Sequence, residues 1–206
     1  MSRRLDLAVY LVTTPRPDLE TVVEQALRGG VGVVQLRDKR ASTAQLRSQV
    51  ARLRPLCEAH GATLLVDDDL AAAGLAHGVH VGPDDVHPVD ARLALGPDAV
   101  VGWSLTDLAQ LDDEAALTAC DYLAVSPVWP TPTKPEADAP WGLEGVRAVV
   151  ARVAGRLPVV AIGGIDAQNA GAVAGAGADG VCVVSAICAS QDPRAAAAAL
   201  RVAVNP

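Results

Sequence analysis

The chain has 206 residues and a net charge of −7; half of it is hydrophobic, yet only 2% is aromatic and Phe is absent. That length fits one domain over residues 1–206, with a core packed from Val, Leu, Ile and Ala. The acidic balance argues against a general nucleic-acid or anionic-membrane surface, while leaving room for a local basic pocket. Cys57, Cys120, Cys182 and Cys188 form no close C-x-x-C pair. A disulfide framework is therefore not expected, and Cys182, set among apolar neighbours, reads as a buried thiol.

Taken in order, residues 7–13 form a first apolar run ending at Thr14-Pro15, and residues 19–28 have helical spacing closed by Gly29-Gly30. Ser2-Arg-Arg4 before that run has the look of a secretion signal. The run is too short and lacks a small-residue cleavage site, so it reads as a strand. A second strand at 31–36 runs straight into Arg37, Asp38 and Lys39, and Ser42 or Thr43 then caps a helix through Glu58. Residues 62–66 make a third strand ending in Asp67-Asp68-Asp69. A short helix leads to a fourth at 78–81, which ends in Gly82-Pro83-Asp84-Asp85. The fifth strand is expected at 99–102 with Trp103-Ser104 at its tip, and Thr106 or Asp107 opens the next helix. The sixth, at 122–125, precedes the long proline-rich stretch 126–140. Residues 142–153 are helical. Two buried runs follow at 159–162 and 181–184, and an alanine-rich helix at 193–204 closes the chain.

Runs without polar alternation are buried on both faces, as in a parallel sheet. Eight β-then-α units in strict alternation favour an α/β fold of the (β/α)8 TIM-barrel type. No run is long enough to span a bilayer, and a cytoplasmic location is expected.

In such a barrel the C-terminal strand ends share one rim, where active sites are built. Gln35, Arg37, Lys39, Asp67, Asp68, Asp85, Ser104, Thr131, Thr133, Lys134, Gly164 and Ser185 all fall there. Gly163 and Gly164 let a ligand approach the backbone, and Ser185 stands where a helix N-terminus would meet a phosphate. Carboxylates beside cations make sense if Mg²⁺ sits between Asp side chains and a polyphosphate. Arg37 would grip phosphate bidentately, with Lys39 or Lys134 acting as a point charge. Each feature alone has a plainer reading: a helix cap at Asp67–Asp69, a surface charge cluster at Arg37–Lys39, an interior hydrogen-bonded His80, an exposed loop at 131–134. Their convergence on one rim is what favours a site.

Gln35-Leu-Arg-Asp-Lys39, Gly78-Val-His-Val-Gly82 with Asp85, Thr131-Pro-Thr-Lys134, and Ala161-Ile-Gly-Gly-Ile165 with Gly177-Ala-Asp-Gly180 and Val184-Ser185 closely resemble the thiamine-phosphate synthase family. The likeness covers nearly the whole chain, in order. It implies a (β/α)8 transferase that joins a hydroxymethylpyrimidine diphosphate to a thiazole phosphate and releases pyrophosphate. By motif, Gln35, Arg37 and Lys39 would bind the pyrimidine diphosphate, and Asp68 and Asp85 would hold Mg²⁺. Ser104 and Lys134 would contact the same substrate or its leaving group. Arg37, Lys39, Ser104 and Lys134 would be the catalytic groups. Thr131 and Thr133 would belong to the thiazole side, with Gly164, Val184 and Ser185 holding its phosphate. The implied partners are these small molecules, with no nucleic acid and no membrane; homo-oligomerisation is left open.

Three positions depart from the family pattern. Asp67 stands where Asn is usual, so it is expected to share Mg²⁺ or a metal-bound water, or to pair with a cation such as Lys39. Pro83 replaces Gln, and Trp141 stands where Gln or a deletion is usual. Two other readings accompany the synthase. A metal-free thiazole tautomerase would need neither 131–134 nor paired Asp residues. A non-catalytic phosphate-binding paralogue would explain the three departures as decay.

Overall fold

A strand without polar alternation has to bury both faces, and eight short apolar runs achieve this here by closing on themselves. The computed structural model describes residues 5–131 and 139–204. Its strands are β1 (Val9–Val12), β2 (Val33–Leu36), β3 (Thr63–Asp67), β4 (Gly78–Val81), β5 (Val100–Leu105), β6 (Tyr122–Val125), β7 (Val159–Ile162) and β8 (Gly180–Val183). All pair in parallel in chain order, and β8 returns to β1 to close the barrel. Helices α1 (Leu19–Arg28), α2 (Thr43–Ala59), α3 (Leu70–Ala73), α4 (Pro88–Leu95), α5 (Glu114–Ala119), α6 (Gly142–Val153) and α7 (Ala170–Gly175) connect successive strands. After β8 come a short α8 (Ser185–Cys188) and the closing helix α9 (Pro193–Val204). This is the (β/α)8 barrel that the alternation predicts. Among the described residues no helix is long and apolar enough to cross a membrane.

Local chemistry accounts for several boundaries. Ser42 and Gln45 form a reciprocal capping box at the start of α2, the Ser42 hydroxyl accepting from the Gln45 N–H while the Ser42 N–H donates to the Gln45 side chain. The fifth strand continues past 102 through Leu105, so Ser104 is a strand residue, not a tip. Asp107 then caps a 3₁₀ turn at Leu108–Asp112 instead of an α-helix, and Asp113 caps α5. Apolar spacing marks no bounds for the helix expected between 85 and 99. There α4 starts on Pro88 and buries only Pro88 and Ala91, too little apolar spacing to mark its ends. The eighth strand spans 180–183, one residue earlier than expected, which makes Val184 the residue that turns into α8.

Alternation sorts the strand residues into two separate cores. Outward side chains such as Val34, Leu64, Val101 and Leu123 pack beneath the helices. Inward ones, including Tyr10, Val33, Leu65, Tyr122, Val160 and Cys182, fill the barrel together with Leu7 from the segment before β1. All four cysteines are buried and free. At the N-terminal rim one device recurs. The residue just before β4, β6 or β8 uses its side chain to accept the N–H near the start of the preceding strand. His77 does this for Leu64, Asp121 for Val101 and Asp179 for Val159, each at 2.8 Å. Backbone donors that the barrel ladder leaves over are thereby satisfied, as befits a rim that serves stability.

Gly102 on β5 makes room for the largest interior ring. A Cβ there would lie 2.1 Å from the Tyr122 ring, which crosses from the neighbouring strand. Gly102→Ala is expected to destabilise the fold by about 1–3 kcal/mol, the cost of forcing a methyl group into filled space. Urea unfolding should show a lower midpoint with an unchanged slope. A midpoint equal to that of the unmodified chain would mean that the ring has room to step aside.

Candidate active site

The C-terminal rim opens into a cavity of about 440 Å³, within the range of small-molecule sites. Every candidate among the described residues lines it: Gln35, Arg37, Lys39, Asp67, Asp68, Asp85, Ser104, Thr131, Gly164, Val184 and Ser185. Thr133 and Lys134 lie outside the described residues.

One wall is charged. Asp67 ends β3 with its side chain turned inward, where its Oδ2 sits 3.1 Å from Lys39 Nζ and 3.4 Å from Arg37 Nε. That oxygen is fully covered, yet neither contact has the alignment of a hydrogen bond. Burial pushes the Asp67 carboxyl above its usual range, against the opposite pull of Lys39 and Arg37. Lys39 also contacts the Asp68 carboxylate. Asp68 adopts a left-handed backbone (φ 61°), uncommon for a residue with a Cβ, and its N–H donates to the carbonyl of His80 at 3.0 Å. Asp69 is committed elsewhere. It caps α3 through the Ala72 N–H at 2.8 Å and accepts from the Thr43 hydroxyl at 2.6 Å. The helix-cap reading of the three aspartates therefore holds for Asp69 alone. Asp85 hangs from the turn after β4, where its Oδ2 accepts the Gly82 N–H at 2.8 Å.

Across the cavity lie the turns after β7 and β8. Gly163 and Gly164 both have positive φ, 111° and 67°, conformations that only glycine adopts freely. They also accommodate packing: a Cβ on Gly163 would meet Pro127 at 2.7 Å, and one on Gly164 would meet Trp129 at 2.9 Å. Ser185 opens α8, and the first-turn N–H groups of a helix have no intrahelical acceptor, so they suit an anion. Asp166 also borders this end, but its Oδ1 is taken up by the N–H groups of Gln168 and Asn169.

Between the two walls, at and just beneath the cavity floor, Gln35 and Ser104 meet three side chains for which the sequence predicts no catalytic or binding role: Tyr10, Tyr122 and His80. Gln35 Nε2 donates to the Tyr10 hydroxyl at 2.7 Å, and the Tyr10 and Tyr122 hydroxyls are 2.9 Å apart. His80 Nδ1 lies 2.8 Å from the Tyr122 hydroxyl, and its Nε2 lies 2.9 Å from Ser104 Oγ. Burial lowers the His80 pKa to about 4, so the ring is neutral at physiological pH. Burial also holds both tyrosine hydroxyls well above their ordinary pKa, hence protonated. His80 is thus the hydrogen-bonded interior histidine expected, though it borders the cavity. A signal for the tyrosines existed: the chain has only two, both inside predicted strands, in a sequence without Phe.

The three departures have distinct structural settings. Asp67, with its Oδ2 covered, is the counter-ion of Lys39 and Arg37. Trp141 donates from its indole Nε1 to the Ser126 carbonyl at 3.2 Å, while its backbone N–H donates to the Pro127 carbonyl at 2.9 Å. It fastens the segment leaving β6, an anchoring role inconsistent with simple decay. Pro83 is exposed in the turn before Asp85, and nothing in the structure explains its choice over Gln.

A parallel barrel that gathers cations, carboxylates and two glycine- and serine-bearing turns around one cavity at its C-terminal rim has the layout of a (β/α)8 enzyme. Sequence comparison makes this specific. Residues 9–187 match the family model described as thiamine monophosphate synthase, and the chain belongs to that family. It is 50% identical to the thiamine-phosphate synthase of Halorhodospira halophila, over 92% of this chain and 90% of that one. It is 45% identical to the corresponding protein of Albidiferax ferrireducens, over 97% and 92%. Among solved structures, the thiamine phosphate pyrophosphorylase of Pyrococcus furiosus superposes with a TM-score of 0.86 at 34% identity, covering 98% of this chain and 97% of that one.

The division of labour among the aspartates is testable through stability. Asp69→Ala removes the α3 cap and should lower stability by about 1 kcal/mol, whereas Asp69→Asn keeps an acceptor and should stay within a few tenths of a kcal/mol. Equal losses for both in denaturant titration would mean that charge, not capping, is what Asp69 supplies.

Proposed function

We propose that this chain is a thiamine-phosphate synthase, joining 4-amino-2-methyl-5-hydroxymethylpyrimidine diphosphate to 4-methyl-5-(2-phosphooxyethyl)thiazole, or its carboxylated form, with release of pyrophosphate and, from the carboxylated form, of CO₂. One observation carries the reading: an Arg37–Lys39 wall with carboxylates faces two backbone anion turns across a single cavity. Two anionic substrates can then be held with their reacting ends between the walls. Arg37 and Lys39 are the groups for the diphosphate, with Gln35 and Ser104 beside it and Lys134 as a further cation. Thr131 and Thr133 are assigned to the thiazole side, and Gly164, Val184 and Ser185 to its phosphate.

The donor set suits Mg²⁺. Among the described residues no three His, Cys, Asp or Glu side chains form a group that could hold a metal. Asp68 and Asp85 would hold a hard cation here, one or two carboxylates being what Mg²⁺ takes from protein when a substrate phosphate is present. When bound, it neutralises charge on the departing pyrophosphate.

In the reaction, the pyrimidine methylene C–O bond breaks and its electron pair leaves with pyrophosphate. The electron-rich aminopyrimidine stabilises the methylene cation, and the thiazole nitrogen lone pair then forms the C–N bond. No proton has to be removed. That accords with a floor histidine that is neutral and engaged at both ring nitrogens. What the residues contribute is positioning and fixed charge: Arg37 and Lys39 stabilise the leaving group, and the opposite turns fix the nucleophile. A tautomerase would have no use for the diphosphate wall.

The purified chain should form thiamine phosphate from the two substrates with Mg²⁺ and lose that activity in excess chelator. Asp85→Ala should lose most of it at any metal concentration. Full activity in chelator would sink the metal assignment and favour the isomerase.

Asp67 neutralises Lys39 and Arg37 in the ligand-free protein and stands beside any bound diphosphate. Its repulsion at about 4 Å is worth roughly 1 kcal/mol even in water-like surroundings. Asp67→Asn should therefore lower the diphosphate KM by about fivefold, the equivalent of 1 kcal/mol, with the Mg²⁺ requirement unchanged. A raised Mg²⁺ requirement would instead make Asp67 a metal partner.

A further inference from the structure

At and just beneath the cavity floor, five polar groups from five strands stand in unbroken contact: the buried Gln35 on β2, Tyr10 on β1, Tyr122 on β6 and His80 on β4, and the half-buried Ser104 on β5. The donor sense of every link follows from the first. Gln35 Nε2 can only donate, so the Tyr10 oxygen accepts and its proton turns to Tyr122. Were Tyr122 the donor of that bond instead, the Tyr10 proton would be buried without an acceptor, a costly arrangement. Tyr122 then donates onward to His80 Nδ1, which must be bare. A neutral imidazole carries its single proton on the other nitrogen, Nε2, which points at Ser104 Oγ. Ser104 accepts that proton, so its own O–H is left to point elsewhere, and Ser104 borders the cavity.

We propose that Tyr10, Tyr122 and His80 are positioning residues. They form a one-way hydrogen-bond relay that starts at the Gln35 amide and fixes Ser104 as a donor into the cavity. A serine hydroxyl on its own rotates among donor and acceptor roles. One whose oxygen is already filled can only present its proton to an acceptor on the ligand, an aim set before the reaction begins. The relay also joins the two ends of the diphosphate half of the site. If a ligand turned the Gln35 amide so that Oε1 faced Tyr10, every link would reverse and Ser104 would donate to His80 instead. The space for the relay is built into the barrel: the Tyr122 ring lies over Gly102, stacks on the His80 ring at 5.6 Å between centroids, and meets Tyr10 edge-on at 5.9 Å.

The proposal rests on Ser104 being a ligand contact, as the proposed function has it, and two measurements separate the failure of each. In ¹⁵N spectra of the unmodified protein without ligand, His80 should be a single Nε2–H tautomer; an Nδ1–H tautomer would overturn the relay whatever the enzyme does. Steady-state kinetics then compare Tyr122→Phe, Ser104→Ala and the double variant, using the two substrates and Mg²⁺. Tyr122→Phe keeps the ring and removes one hydroxyl. Its kcat should fall about tenfold, the scale of losing an outer partner of a working group. The thiazole phosphate KM should stay within about twofold, and the double variant should be no slower than Ser104→Ala by more than about twofold. Losses that multiply, or a Tyr122→Phe enzyme as fast as the unmodified one, would overturn the proposal. If the unmodified chain forms no thiamine phosphate, the functional reading fails, and the tautomer measurement still decides the relay.

Discussion

The structure depends on a barrel interior so narrow that every inward side chain must touch another. Strands of four to six residues leave few tiers. Part of the interior is apolar, with Leu7, Val33, Leu65 and Val160, and part is a polar tier of Gln35, Tyr10, Tyr122, His80 and Ser104. Each of these would cost about 1–3 kcal/mol if buried without a partner. The polar tier is tolerable because its members satisfy one another across five strands, which makes it all-or-nothing. Gln35, Tyr10, His80 and Ser104 of that tier also line the cavity, so the demand for polar satisfaction and the geometry offered to a ligand are one constraint.

Above the floor the problem is charge. A chain of net charge −7 does not draw two anionic substrates by its overall field, and salt screens that field beyond roughly 8–10 Å. Attraction has to be local, from Arg37, Lys39 and backbone N–H groups at the far turns. Without ligand, those cations lean on Asp67 and Asp68. A diphosphate bound as proposed would exchange with these carboxylates for the cations, while a divalent ion would turn the displaced carboxylates from repulsive neighbours into ligands. Binding of metal and of diphosphate would reinforce each other for that reason.

Much of this was legible in the sequence. Helices α1, α6 and α9 and strands β4, β6 and β7 match their expected bounds, because each is an apolar strand or a segment of helical spacing with a Gly or Pro within two residues of its end. The rim candidates fell into one cavity because parallel topology forces strand ends together. What escaped notice has a physical cause in each case. β5 was cut short at Gly102, yet that glycine is a packing vacancy for Tyr122 on another strand, and no local pattern encodes a neighbour's ring. The bounds of helix α4 escaped because its burial is minor and its anchor is tertiary: Trp103 turns outward from β5 and meets His87, which caps that helix. The polar tier escaped because hydrogen bonds between residues 112 positions apart, such as Tyr10 with Tyr122, have no signature within a window.

The departure at Trp141 bears on how the two halves of the site communicate. Its indole and backbone N–H groups hold Ser126 and Pro127, and Gly145 lies directly beneath it, with room for no side chain of its own. Pro127 in turn packs so closely on Gly163 that a Cβ would not fit, while the Val128 and Trp129 N–H groups donate to the carbonyls of Ile162 and Gly163. The segment after β6, which leads to Thr131, is therefore laid directly on the backbone of the turn after β7. Gly163 and Gly164 read from sequence as openings for a ligand, and the structure adds that they are where one loop is seated on the other. The seat is made of backbone hydrogen bonds and close contacts with little slack, so a shift in one loop moves the other. An indole fixed at the base of this joint rigidifies both, a use for Trp141 that a polar residue lacking its bulk would not match.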